Sequence, residues 1–431
     1  SLLDRVLPKL RRFDATQEPV DRVALAGALL DGAPGRVAEV WKLIEPHLGK
    51  LSRSDKVQVA RWFLDREPKH KGAAALVQEL NPIRVPGADK IPAAEWLELL
   101  EAAANLEFGV VRIPENKNDF VPSPELRELA KQMARWRKDL VAIQSNRVLI
   151  ITPMVNPGRI ARCLAMSELL CDTLEKMFAF STRKRSRALR MKILLCASQK
   201  EYIQLSASRG VGAHVVWTSG HYDPQERISR MFLPSGEGAF ESVLDVLAHE
   251  LTHYWVDVQC PLFDDYNMVR VAQCPGYWIV EGFASMLEEF TFDLGAREVR
   301  ATRPGSHSLD IVANASKRQL IDWEALLTLS QAGMHRHLDP RPGSCGVVRT
   351  SWSLGKSSLA SQMNMFYSQA SAICHYLYSA DGGKHRRQLL EYLGAFYTGK
   401  LDQLDLAKTL GTTPDELGKR VVAFAKRASG R

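Results

Sequence analysis

The sequence predicts an α+β protein in which a small mixed sheet lies between two helical regions. Apolar residues recur at helical spacings of three and four over 1–143, short apolar runs typical of buried strands occur over 144–258, and helical spacing returns over 259–431. A chain of 431 residues has room for two or three domains of about 150 residues. We therefore divide the chain into these three ranges and expect an all-helical region before the sheet.

Helical periodicity in the N-terminal region predicts antiparallel helical hairpins, which are separated by Gly, Pro and Ser residues. The predicted helices are 21–30, 35–48 and 55–65. A Pro-rich passage interrupts the pattern at 81–92, and residues 125–143 are predicted as a last long helix. We expect this region either to cover a cleft or to dock a protein partner.

Short apolar runs predict the strands of the sheet. Residues 147–152 and 191–197 suit buried strands, and a helix is predicted between them at 159–178. Residues 213–219 and 230–234 predict two further strands, and the proline that ends the second favours an edge position. Beyond about residue 260 the pattern is helical, with loop-rich insertions predicted where that pattern lapses. These insertions lie around 301–316 and 334–358.

Composition excludes several classes of protein. A hydrophobic fraction of 45% and a charged fraction of 25% are those of a folded globular chain rather than a disordered one. No stretch of about 18 apolar residues occurs, so no membrane span is predicted. The net charge of +8 arises largely in short clusters at 183–187 and 384–387 that lack interleaved aromatic residues. We interpret them as solvated loops and predict no nucleic-acid partner.

The seven cysteines show no C-x-x-C spacing. Cys163, Cys196 and Cys374 lie in apolar stretches and are predicted to be buried thiols. Cys260 and Cys274 bracket a short loop and could pair in an oxidising compartment, and the sequence leaves this open. No targeting segment is recognised at the first residue, so either one was removed or none was present, and the residues leave the compartment undetermined.

The segment VLAHELTHYWVDV at 246–258 predicts a helix with two histidines four residues apart. His249 and His253 therefore share one face and can bind a single cation. Imidazole nitrogens are ordinary zinc ligands, and three protein ligands leave a position for a catalytic water. Glu250 would lie beside that water and is predicted to be the general base that takes its proton. Two helix histidines placed by chance are the alternative for this segment alone.

Glu281 is the candidate for the third ligand. It lies 28 residues after His253 in YWIVEGFASMLEEF, whose apolar spacing also predicts a helix. A carboxylate oxygen there would complete a His₂Glu site, and two matched helices are less expected by chance than one. We therefore predict one Zn²⁺ per chain.

The motif HELTHYW followed by EGFAS resembles the gluzincin zinc metallopeptidases, and the surrounding sequence is similar to the aminopeptidase N family. The layout over about 147–380, with GHYDP and RMFLP before the helix and MFYSQASAICHYL after it, resembles the peptidase MA-like group. The resemblance implies a thermolysin-like core that hydrolyses peptide bonds in peptides or proteins. It implies zinc on His249, His253 and Glu281 with Glu250 as the base, and it favours an extracytoplasmic location.

Departures from related patterns refine this expectation. Metzincins require Gly three residues and His or Asp six residues after the second histidine, whereas this chain has Val256 and Gln259. Thermolysin-like enzymes place an Asp four residues after the glutamate ligand, where this chain has Ser285. Glu288 is then either a substitute that orients a histidine or a solvated helix residue. The GxMEN motif of the aminopeptidase N family is absent, which favours an endopeptidase over an aminopeptidase.

A tetrahedral intermediate needs a hydrogen-bond donor for its oxyanion besides the metal. The resemblance around Tyr367 makes this residue the candidate, with a core aromatic as the alternative and His375 as a second candidate. His221 and Tyr222 could line the cleft from a loop.

Two other functions fit the same residues. One is a zinc-dependent hydrolase of a non-peptide amide, because the site chemistry does not identify the amide. The other is a non-catalytic interaction protein with a structural zinc. Glu250 argues against the latter, since a purely structural site needs no general base.

Overall fold

In the computed structural model the chain forms two compact units. The first comprises Ser1–Asn146 and Ile151–Ala165, and the second comprises Arg147–Ile150 and Met166–Arg431. The described residues are 27–31, 34–80, 91–106, 109–112, 140–145, 147–153, 156–181, 190–207, 219–234, 237–260, 274–294, 296–301, 306–338, 358–401 and 405–430.

Short helices contain most of the described residues of the first unit. They are α1 (Val37–Ile44), α2 (Arg53–Arg66), α3 (Lys71–Leu80) and α4 (Ala93–Leu106). The side chain of Ser52 caps α2 by accepting the N–H of Asp55, and Trp41 of α1 packs edge-on against Phe63 with ring centroids 4.9 Å apart. The helices predicted at 35–48 and 55–65 are thus confirmed.

Three N-terminal predictions lie partly or largely outside the described residues. Of the helix predicted at 21–30, residues 27–30 are described and helical. Nearly all of the Pro-rich passage at 81–92 lies outside the description, as do residues 125–139 of the last predicted helix.

Two strands contradict the prediction of an all-helical first region. Strand β1 (Gly109–Arg112) pairs antiparallel with β2 (Leu140–Gln144), so residues 140–143 form a strand rather than the end of a helix. All five side chains of β2 are buried. A short apolar run covered on both faces favours a strand, whereas an amphipathic helix would alternate its faces every three or four residues.

The second unit contains the predicted mixed sheet. Its strands are β3 (Val148–Pro153), β4 (Met191–Cys196), β5 (Gly220–Asp223) and β6 (Ile228–Phe232), and helix α5 (Pro157–Met177) follows β3. They lie in the order β3-β4-β6-β5, with β4 parallel and β5 antiparallel to β6. The division between the units falls within β3 and within α5. The strands predicted at 147–152 and 191–197 and the helix predicted at 159–178 are confirmed.

The edge strand differs from the prediction. Residues 230–234 were expected at the edge, but β6 lies between β4 and β5. Pro234 follows the end of β6, so its missing N–H interrupts no ladder hydrogen bond. Strand β5 stands at the edge instead and contains His221 and Tyr222, which the sequence had suggested for a loop. Most of the strand predicted at 213–219 lies outside the described residues.

Among the described residues, helices and one further short hairpin follow in the second unit. They are α6 (Gln199–Ala207), α7 (Glu237–Gln259), α8 (Trp278–Glu288), β7 (Thr291–Asp293), β8 (Glu298–Arg300), α9 (His307–Asn314), α10 (Trp323–Thr328), α11 (Gln331–Leu338), α12 (Ser358–Ser379), α13 (Arg386–Tyr397), α14 (Leu406–Thr409) and α15 (Pro414–Ala428). The loop predictions at 301–316 and 334–358 are wrong where α9 and α11 occur, and residues 302–305 and 339–357 lie outside the described residues. Ser306 caps α9 by accepting the N–H of Leu309, which stabilises so short a helix. No described helix is both long and apolar enough to cross a membrane.

The buried-thiol predictions are confirmed for Cys163, Cys196 and Cys374. Burial raises the pKa of the Cys163 thiol to about 12 and raises that of Cys374 well above its usual range. Both side chains therefore act as small apolar groups in the core rather than as reactive thiolates.

Helix α8 is covered on every side, since all ten residues from Trp278 to Leu287 are buried. It packs against α7 and against α12. At Gly282 the backbone of α12 comes so close that a Cβ atom would lie 2.5 Å from the carbonyl oxygen of Ala370. Because Gly282 follows Glu281, this close approach also determines where the Glu281 side chain begins.

We expect Gly282→Ala to lower the melting temperature. The added methyl must push α8 and α12 apart, and overpacking of this kind costs about 1–3 kcal/mol, which exceeds the helix-propensity gain of about 1 kcal/mol at most. Gly49→Ala is the matched control, because a Cβ at Gly49 would meet nothing within 4 Å. Thermal unfolding of both variants checks the prediction, and equal melting temperatures would contradict it.

Candidate metal centre

Helix α7 presents two imidazoles and a carboxylate at a buried surface. His249 and His253 lie one turn apart, with ring centroids 4.8 Å apart. Relative exposure is 4% for His249, 3% for Glu250 and 9% for His253. Leu247 and Leu251 on the same helix are fully buried, which holds this part of α7 in the core.

Glu281 of α8 meets the two histidines. The Nε2 atoms of His249 and His253 are 3.2 Å apart, and Glu281 Oε2 lies 3.4 Å from the first and 3.6 Å from the second. A point equidistant from the three atoms lies about 2.0 Å from each, which is the usual length of a zinc–nitrogen or zinc–oxygen bond. Tetrahedral bonds of about 2.05 Å would separate ligand atoms by about 3.3 Å. The three side chains therefore fit a zinc ion without rearrangement.

The hydrogen bonding of Glu281 also fits a cation. Its Oε2 atom is buried and has no hydrogen-bond partner among the described residues, and both imidazole nitrogens lie beyond normal hydrogen-bond length. A buried carboxylate oxygen without a partner is costly. Within the described part of the chain, His249, His253 and Glu281 form the one such cluster, and no fourth His, Cys or carboxylate completes it. An open fourth position is typical of catalytic rather than structural zinc sites.

The remaining polar atoms of two ligands are held by neighbours. Glu288 Oε2 lies 3.1 Å from His249 Nδ1, so the suggestion that Glu288 orients a histidine in place of an Asp at position 285 agrees with the geometry. The Tyr277 hydroxyl donates to Glu281 Oε1 and accepts from Gln331 Nε2 at 3.0 Å. These contacts fix the orientation of both side chains before any metal binds.

Glu250 lies beside the ligands and bonds to the edge strand. Its Oε2 atom accepts the backbone N–H of Tyr222 at 2.7 Å. Burial raises the pKa of Glu250 above its usual range, and the negative charge of Glu281 adds to this, whereas the two histidines and the Tyr222 N–H oppose it. Glu250 is thus a buried carboxylate with one oxygen oriented by the main chain.

Tyr367 of α12 lies close enough to this cluster to be affected by its charges. Burial raises the pKa of Tyr367 well above its usual range, and the carboxylates of Glu281, Glu250 and Glu288 raise it further. The hydroxyl therefore keeps its proton at neutral pH and can donate a hydrogen bond. It makes no hydrogen bond with any described residue.

His375, the second candidate donor, has a different partner. Its Nε2 atom lies 3.0 Å from Glu289 Oε2, and the same carboxylate accepts the Ser306 hydroxyl and, at 2.7 Å, the Ser308 N–H. Burial opposes ionisation of Glu289, but His375 and the two serines outweigh it and lower its pKa. His375 therefore ties α12 to the end of α8 and the start of α9, and Tyr367 is the better candidate.

Sequence reasoning missed several residues around the site. Tyr277 lies one helical turn before Glu281, a spacing that could have suggested the contact. Gln331 and Asp257 are joined to the site only through tertiary packing, and no sequence pattern indicates them. Tyr222, which the sequence suggested as a cleft residue, is the partner of Asp257. His221 bonds to the Tyr202 hydroxyl at 2.8 Å through Nδ1.

Comparison with models of known protein families gave no match to this sequence, and a search of curated proteins gave no significant match.

We expect the purified protein to bind one zinc ion tightly, because the three candidate ligand atoms already lie 3.2–3.6 Å from one another. His253→Ala should bind far less zinc. His385→Ala, which changes a histidine outside the candidate cluster, should bind as much as the wild-type protein. Metal analysis after dialysis checks this. A full zinc complement in His253→Ala would contradict the ligand assignment.

Zinc binding should release about one proton per zinc ion, or more, at neutral pH. Burial disfavours the charged imidazole of His249, but Glu281 and Glu288 outweigh it and raise its pKa well above the usual range. Zinc needs the neutral imidazole, so it must displace this proton, and zinc affinity should rise with pH. Titration calorimetry in two buffers of different ionisation enthalpy measures the release. Glu288→Gln should reduce the number of protons released. Zinc binding without any proton release would contradict the prediction.

Proposed function

We propose that the protein is a zinc-dependent peptidase of the gluzincin type that cleaves peptide bonds within a chain. The observation that carries the proposal is the convergence of His249 Nε2, His253 Nε2 and Glu281 Oε2 to separations of 3.2–3.6 Å, with the buried carboxylate of Glu250 next to them. The resemblance of both motifs to the gluzincin metallopeptidases agrees with this geometry. A zinc site with a purely structural role would not need Glu250 beside the three ligands.

Zinc held by these ligands would supply a Lewis acid that polarises a carbonyl and acidifies water. Glu250 has the role of general base, because it can take a proton from the attacking water and deliver it to the leaving amine. Its second oxygen accepts the Tyr222 N–H, which leaves the other oxygen for the proton. Burial of the site strengthens the electrostatic interactions among these groups, since charges interact more strongly in a low dielectric.

Tyr367 has the role of donor to the oxyanion that forms at the attacked carbonyl. Its burial and the negative charges of Glu281, Glu250 and Glu288 raise its pKa and keep its hydroxyl protonated. A donor placed before the reaction begins stabilises developing charge without reorganisation.

Two features favour an internal peptide bond as the substrate. The sequence lacks the GxMEN motif by which the aminopeptidase N family holds a free amino terminus. Strand β5 lies at the edge of the described sheet beside Glu250, and the main-chain groups of a strand edge, apart from the Tyr222 N–H that Glu250 accepts, can pair with an extended peptide. A small non-peptide amide would make no use of such an edge.

We expect Glu250→Gln to keep its zinc and to lose hydrolysis by about 10²–10⁴-fold, because the amide preserves shape but accepts no proton. Cleavage of a broad library of internally quenched peptides is measured for the wild-type protein and the variant. The zinc content of both proteins is measured alongside. Cleavage that survives in the variant within a few fold would exclude Glu250 as the base. Zinc without cleavage of any peptide by the unchanged protein would favour a different amide or a non-catalytic protein.

Tyr367→Phe should lower kcat by about 10²–10³-fold and leave KM nearly unchanged, because the oxyanion bond forms only in the transition state. Tyr376→Phe is the matched control on the same helix, since Tyr376 packs against Phe424 with ring centroids 5.9 Å apart. Steady-state kinetics of both variants provide the test. A Tyr367→Phe variant with unchanged kcat would identify Tyr367 as a core aromatic only.

A further inference from the structure

We infer that Tyr222 is a positioning residue that fastens the edge strand β5 to helix α7 at two points and thereby orients the carboxylate of Glu250. Its backbone N–H donates to Glu250 Oε2 at 2.7 Å, and its hydroxyl donates to Asp257 Oδ2. The catalytic consequence rests on the proposed function, whereas the attachment itself does not.

The two attachment points lie far apart on the helix. Glu250 and Asp257 are seven residues apart, which is two turns or about 10 Å along α7. Tyr254 lies between them, and its ring centroid is 5.0 Å from that of Tyr222. One hydrogen bond would let the strand pivot on the helix, whereas two separated bonds fix both its position and its direction.

The end of β5 next to Tyr222 is fixed to β6. Arg230 is 1% exposed and bonds to Asp223 at 2.9 Å and to Glu226. The other carboxylate oxygen of Asp223 accepts the N–H of Gln225 at 2.9 Å and that of Glu226 at 3.1 Å. These bonds hold the β5–β6 hairpin together, and Tyr222 joins that hairpin to α7.

The hydroxyl of Tyr222 is well suited to this role. Asp257 is 4% exposed, and a buried carboxylate gains more from a hydrogen bond than an exposed one does. Burial and the charge of Asp257 raise the pKa of Tyr222, so the phenol remains the donor. Arg227 lies 3.9 Å from the same carboxylate but its side chain is 47% exposed, and it adds little by comparison.

Loss of the Tyr222 hydroxyl should make β5 more mobile and widen the range of orientations of the Glu250 carboxylate. In Tyr222→Phe we expect the amide of Tyr222 to exchange its hydrogen about tenfold faster, because one buried charge-assisted bond no longer opposes local opening. We expect kcat to fall about 10–100-fold with KM within about twofold, since a misdirected base impairs the reaction rather than binding. Zinc content should not change.

The test compares Tyr222→Phe with Asp257→Asn and Tyr254→Phe by hydrogen-exchange mass spectrometry and by kinetics. Asp257→Asn keeps an acceptor oxygen and should retain most of the protection. Tyr254→Phe is the matched control, because that hydroxyl donates to the Arg190 carbonyl at 3.1 Å instead. Unchanged exchange of the Tyr222 amide in Tyr222→Phe would overturn the attachment, and faster exchange with unchanged kcat would overturn the positioning role.

The two proposals can fail separately. Faster exchange in Tyr222→Phe, with no hydrolysis by the unchanged protein, would support the attachment and contradict the peptidase. Glu250→Ala removes the acceptor of the main-chain bond, so exchange of the Tyr222 amide should also quicken there, whether or not the protein is an enzyme. Protection that persists in both variants would show that neither bond holds the strand.

Discussion

Buried charge is the constraint on which the second unit depends. Glu250, Glu281 and Asp257 are 3%, 2% and 4% exposed, and an isolated carboxylate at such depth would cost several kcal/mol. Each therefore has a donor: Tyr277 for Glu281, and Tyr222 for both Glu250 and Asp257. The oxygen of Glu281 that has no donor faces the two imidazoles, where a divalent cation would satisfy it. The same need for partners explains the polar contacts and the convergence of the three candidate ligands.

Helix packing sets the spacing of the three candidate zinc ligands. The histidines lie on one turn of α7, so their separation follows from helix geometry alone. The distance to Glu281 depends on how closely α8 approaches α7, and α8 is held from the other side by α12 at Gly282. Metal–ligand distances tolerate deviations of only about 0.2 Å. A ligand on a helix that is buried on every side meets this tolerance more readily than one on a loop.

Much of the site follows from the sequence because its residues lie within single helices. The pair His249 and His253, with Glu250 beside the first, is encoded by helical spacing, and Glu281 is encoded by a second apolar helix. The apolar runs that form β3 and β4 are equally local signals, because burial on both faces requires continuous hydrophobicity. Glu288, one turn beyond Ser285, also followed from spacing, and its contact with His249 agrees with that suggestion.

Only the tertiary structure decided which elements meet. The sequence alone suggested a helix at 140–143 and an edge strand at 230–234, because a short apolar run has no periodicity that separates helix from strand and no pattern that tells which neighbour will pair with it. The contacts of Tyr222 with Glu250 and Asp257 join residues about 30 positions apart on different elements. Local spacing therefore determined the chemical groups of this protein, and the packing of β5 and α8 on α7 decided how those groups are oriented, since orientation depends on contacts between distant parts of the chain.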